Sequence, residues 1–199
     1  MASLVRARER KQLRSGPNRS HDSEHTGSSR PTAVIAAGRG LDPSDTHEAD
    51  NSAVQWNQIV GVITAPGINN PVGGINAGTG PWSVHEGHAR VNLASGEASF
   101  EVHGLVLNGS NASGTPGPVT TVTGTLVCNP GTDAQAVRDT AEVRLSPQGD
   151  AHFRGEITGI PPLCANPAFL VRIGPSFPVP GAVGRWLATG AVRTQVEAD

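Results

Sequence analysis

Hydrophobic and polar residues alternate twice in the same way along this chain. Ala89-Arg90-Val91-Asn92-Leu93, a short turn and Gly96-Glu97-Ala98-Ser99-Phe100 recur as Ala141-Glu142-Val143-Arg144-Leu145, a turn and Gly149-Asp150-Ala151-His152-Phe153. A period of two puts Ala, Val, Leu and Phe on one face and charged or polar residues on the other, the pattern of a half-buried antiparallel strand. Ser95-Gly96 and Ser146-Pro147-Gln148-Gly149 have the chemistry of chain reversals, so each copy predicts a β-hairpin.

Further apolar runs extend the pattern. Strands are expected near 54–64, 88–94, 97–107, 119–128, 140–145, 151–158, 168–173 and 185–194, while no window past residue 20 has helical spacing. With no helix to cover a sheet face, the sheet must cover itself. The expected fold is therefore all-β, an antiparallel β-sandwich or jelly-roll of about eight strands in one domain over residues 51–199. The two related hairpins are expected to pack face to face, with Val91, Phe100, Val143 and Phe153 pointing into one core. The run over 54–64 is a candidate edge strand, through which the chain would pair with a second copy.

Residues 1–50 are a different material. Five basic residues (Arg6, Arg8, Arg10, Lys11, Arg14) stand against one acid (Glu9), and Ser, His, Gly, Asp and Pro then dominate to about Asp50. Such a segment cannot bury enough apolar surface to offset its ordering entropy, so a disordered polar tail is expected. A net charge of -2 gives no reason to expect nucleic acid as a partner. The chain has 25 Gly and 16 Pro with only 16% charged residues, which suits short strands and tight turns. It contains neither the apolar core of a signal peptide nor a run long enough for a membrane span.

The two cysteines bear on location. Cys128 ends one strand-like run and Cys164 precedes another, each beside an Asn-Pro dipeptide (Asn129-Pro130 and Asn166-Pro167), so a disulfide between them is expected. Buried free thiols are the other option for such a pair. A disulfide argues for an extracellular or cell-surface protein. Asn108-Gly109-Ser110 and Asn111-Ala112-Ser113 match glycosylation sequons and predict an exposed loop.

Hairpin register gives the sharpest site expectation. If Ser95-Gly96 is a two-residue loop, Val91 faces Phe100, Arg90 faces Glu101 and His88 faces His103. Directly opposed residues have Cβ atoms about 4.5 to 5.5 Å apart, close enough for both rings to ligate one Zn²⁺ or Cu²⁺, with His85 and Glu86 nearby as a further source of ligands. The competing explanation is a solvated polar face, which alternation already calls for. In the second hairpin Arg144 would face His152, and Glu142 would pair with Arg154.

The Gly-rich segment 66–82 is the other candidate. It is too long for a tight turn and repeats Gly-Ile-Asn at 67 and 74, and Asn69, Asn70, Asn76 and Trp82 are the residues that would contact a ligand. Its glycines match no phosphate loop, so the alternative is that Ile68, Val72, Ile75 and Trp82 cap one end of the fold. Nucleophilic catalysis finds no elbow motif, and tyrosine is absent.

The run Gly96-Glu97-Ala98-Ser99-Phe100-Glu101-Val102-His103-Gly104-Leu105, with Gly117-Pro118-Val119-Thr120 and the strand ending at Cys128, resembles the β-rich CHRD-type domains of secreted proteins. It spans about a quarter of the chain and implies an extracellular β domain without a defined activity. Thr125-Leu126-Val127 stands where that family carries His-x-His. The function expected is thus a non-catalytic binding or structural module, secreted or surface-associated, with an unknown ligand or protein partner and no cofactor. The alternative is a metal-dependent or small-barrel enzyme using His85, His88 and His103 with Zn or Cu.

Overall fold

A computed structural model describes residues 53–196, apart from Pro66, Pro180 and Val183. The expected polar tail of residues 1–50 lies outside the described residues. These contain no helix and eleven strands: β1 (Ala53–Gly61), β2 (Trp82–Ser83), β3 (Glu86–Asn92), β4 (Glu97–His103), β5 (Val106–Leu107), β6 (Thr121–Cys128), β7 (Ala136–Asp139), β8 (Val143–Arg144), β9 (Ala151–Glu156), β10 (Ala168–Ile173) and β11 (Trp186–Val196). Among the described residues, then, no helix is long and apolar enough to cross a membrane.

The expected antiparallel all-β fold is present, built as one large sheet and a small one. The large sheet runs β7, β6, β10, β11, β1, β3, β4, β9, with β8 also on β6, and β2 pairs with β5 separately. The first and last strands of the chain are neighbours in the middle of this sheet: β1 and β11 pair along their length, from Ala53 opposite Val196 to Gly61 opposite Ala188, and β3 flanks β1 on the other side, so the 54–64 run is an interior strand and not the expected edge.

Aromatic packing reports the curvature. Phe100 on β4 and Phe169 on β10 have three strands between them, so in a flat sheet they would be about 19 Å apart at the usual strand spacing. Their ring centroids are 5.7 Å apart. The sheet therefore rolls into a half-barrel around a single core, in which Trp56 meets Phe169 at 5.5 Å and Phe100 stacks on Phe153 at 5.9 Å. Gly124 on β6 makes room for this cluster, because a Cβ there would lie 2.8 Å from ring atoms of both Phe100 and Phe169.

The two hairpins part company. Asn92 closes the first with its side chain, accepting the N–H groups of Ala94 and Ser95 on Oδ1 while its carbonyl accepts from Gly96. That longer turn moves the expected register by two residues. His88 faces Glu101, Arg90 faces Ser99, Ala89 faces Phe100 and Glu86 faces His103. An even shift keeps every side chain on its expected face while changing all of its partners.

The second hairpin forms no ladder. β8 pairs with β6 (Val143 opposite Val122, Arg144 opposite Thr121), and β9 pairs with β4 (Phe153 opposite Phe100, Arg154 opposite Ser99, His152 opposite Glu101). The two Phe-bearing strands thus lie side by side instead of face to face, and the expected Arg144–His152 and Glu142–Arg154 pairings do not form. Val91 and Phe100 are buried, and Val143 and Phe153 are partly buried against the same core. The turn at 146–150, held by Ser146 N–H to the Asp150 carbonyl, connects a strand on one edge of the sheet to the strand at the other edge.

Candidate functional site

Two surface features among the described residues hold the histidines singled out from sequence. The first is a cleft between β1 and the β2–β3 segment. β3 pairs with β1 only over Ala53–Trp56, whereas β11 follows β1 as far as Gly61. Past Trp56 the ladder to β3 is interrupted, with Gly87 still close to Ile59 and the Trp82–Ser83 backbone against Gly61. Over this stretch lies a cavity of about 630 Å³ lined by Asn57, Gln58, Ile63, Ser83, His85, Glu86 and Asn108, with the buried Trp82 in its wall. The opposite wall is fixed by backbone hydrogen bonds from Trp82 to Val62 (2.9 Å), Asn108 to Pro81 (2.9 Å) and His85 to His103 (2.9 Å).

The rim of this cleft is unusual in two respects. Ile63 is 88% exposed and Val192 64% exposed, large apolar residues that a free surface does not favour. Val192 also has φ +52°, a left-handed backbone that a β-branched residue rarely adopts. It lies opposite Asn57, between the pairs Trp56–Arg193 and Gln58–Ala191. There the alternation of β1 changes phase, with Trp56 and Ile59 buried and Asn57 and Gln58 both exposed.

The second feature is the outer face of β3, β4 and β9. The observed register arranges six titratable residues in two rows across these strands. Glu86, His103 and Asp150 form one, and His88, Glu101 and His152 the other. Acid and imidazole alternate in both directions. His103 Nε2 lies 2.8 Å from Glu101 Oε1, and its Nδ1 lies 3.4 Å from Asp150 Oδ1. The hydrogen bond to Glu101 raises the His103 pKa above its ordinary value against the lowering effect of desolvation, and Asp150 adds to the rise. Asp150 is held below the usual carboxylate range, first by the Gly104 N–H (3.1 Å), against the effect of desolvation, and also by the Ser146 hydroxyl (3.2 Å) and His103.

The three histidines singled out from sequence fall in two places. His88 and His103 share the outer face but sit on a diagonal, and His85 lies at the cleft, so the three do not form the expected opposed pair with a neighbour. In this conformation no three His, Cys, Asp or Glu side chains among the described residues converge on a metal position. His152 and the central Glu101 went unnoticed as partners because the β4–β9 pairing is not local. The signal that could have revealed it is the equivalence of Phe100 and Phe153, which pair directly.

The asparagines of the 66–82 loop mostly act through their backbones. Asn69 accepts from Ala77 N–H, Asn70 from the Trp186 indole and Asn76 from Trp186 N–H, while the Asn70 side chain donates to the Ile63 carbonyl. The loop is stitched to β11, and of the four expected ligand residues Trp82 alone lines the cleft. At the far end of β6, Cys128 and Cys164 lie at disulfide distance with Cα atoms 4.7 Å apart. Asn129 secures that corner by accepting from Ala165 N–H and donating to the Leu163 carbonyl. Comparison of the chain with protein-family models, with curated proteins and with solved structures finds no match in any of the three.

Proposed function

We propose that the β domain is a non-catalytic binding module that takes an extended polypeptide segment in the cleft beside β1, and that it works outside the cell or at its surface. The observation carrying this is the stretch of β1 from Asn57 to Gly61, which stays paired with β11 but has no ladder to β3 and borders the cleft. An extended segment laid there gains main-chain hydrogen bonds from the strand edge. Asn57, Gln58 and Asn108 supply amides that both donate and accept, and Ile63 with Val192 offers apolar contact for alternate side chains. A cysteine pair at disulfide distance supports an oxidising compartment.

Selection of phage-displayed random peptides on the immobilised full chain tests this. Selected peptides should bind, and Ile63→Asp should weaken them while leaving the melting temperature unchanged, since that side chain is in solvent. Failure to enrich any peptide, or affinities indifferent to Ile63→Asp, would overturn the reading.

A further inference from the structure

The geometry points to a divalent transition-metal site, of the kind that takes Zn²⁺, on the outer face of β3, β4 and β9, with His103 and Glu101 as ligands and His88 and His152 supplying the remaining donor positions. The proposal is independent of the cleft. His103 Nε2 and Glu101 Oε1 are 2.8 Å apart, and zinc bonded to both would hold them about 3.3 Å apart, so about 0.5 Å of opening admits the ion in place of the shared proton.

The other ring nitrogen is already provided for. Asp150 faces His103 Nδ1 at 3.4 Å and is itself fixed by Gly104 N–H and the Ser146 hydroxyl, the arrangement in which a carboxylate orients a metal-bound imidazole through its far side. His88 and His152 stand directly opposite Glu101 on the two flanking strands. Both are exposed, so their rings can swing toward the ion at little steric cost. A donor set with imidazole and carboxylate together suits zinc and copper better than calcium or magnesium, which prefer oxygen alone.

Titration calorimetry of the full chain with zinc chloride at neutral pH reads this out. The tail holds His21, His25 and His47, so a variant with all three changed to Gln serves as the control. One equivalent should bind in that control, binding should vanish in His103→Gln made on the same background, and Asp150→Asn should weaken it about 10–100-fold. Thermal melts without metal establish that each variant folds, and Glu101→Gln provides a second ligand deletion if His103→Gln does not. Dissociation constants above about 1 mM in the control, or zinc binding that survives both ligand deletions, would overturn the site.

Discussion

Glu142 shows how little of a side chain's role is visible from its place in a pattern. Alternation assigns it to a cross-strand ion pair, yet its carboxylate accepts the backbone N–H and hydroxyl of Ser176, far along the chain. Desolvation pushes its pKa up, and the hydroxyl and backbone N–H of Ser176 together with the nearby Thr121 hydroxyl outweigh that and leave the group below its ordinary value. A lowered folded pKa stabilises above the unfolded value, and the contribution disappears as pH falls through the folded one. Ser176→Ala should therefore be less stable than wild type at neutral pH by denaturant unfolding, with the gap narrowing in acid. A gap independent of pH would mean that Glu142 does not titrate through this bond.

At the level of elements, the strands were legible and their neighbours only partly so. Period-two alternation identifies a half-buried strand whatever it pairs with, which is why β3, β4, β9 and β10 lie where the pattern predicts. Register depends on turn chemistry that alternation does not contain. The Asn92 side chain lengthened the first turn and moved His88 from His103 to Glu101. The pairing of β9 with β4 involves residues some 50 apart in the chain, so no local rule reveals it. The short β2, β5 and β7 fall below the length at which alternation can be read. The candidate site followed the same division: its residue types were evident, and their grouping was not. The β1–β11 ladder carries its own strain at Val192, whose left-handed backbone costs on the order of 1–3 kcal/mol for such a residue. Asn tolerates that conformation, so Val192→Asn should raise stability, by about 0.5–1 kcal/mol in urea unfolding. A loss of stability would show that Val192 has a packing role that exceeds its strain.

For the whole molecule, the cysteine pair ties β6 to the segment entering β10 across 36 residues of sequence. In the chain-entropy account a link of that span contributes about 4 kcal/mol by restricting the unfolded chain. The Cys128→Ala, Cys164→Ala double variant should unfold at correspondingly lower denaturant, and reductant should lower the wild type toward it while leaving the variant unmoved. Equal midpoints for oxidised wild type and variant would show that the bond adds nothing.

The position of β1 against β11 has a mechanical consequence. Ala53 and Val196 face each other across the ladder, so tension applied through the two ends of the domain pulls perpendicular to the strands and along their hydrogen bonds. Such a load falls on one rung at a time, and the domain parts like a zip from its ends inward. Held by one end and gripped elsewhere, the same sheet would bear the load across many rungs together. How this module is tethered therefore sets how much force it withstands before its core is exposed.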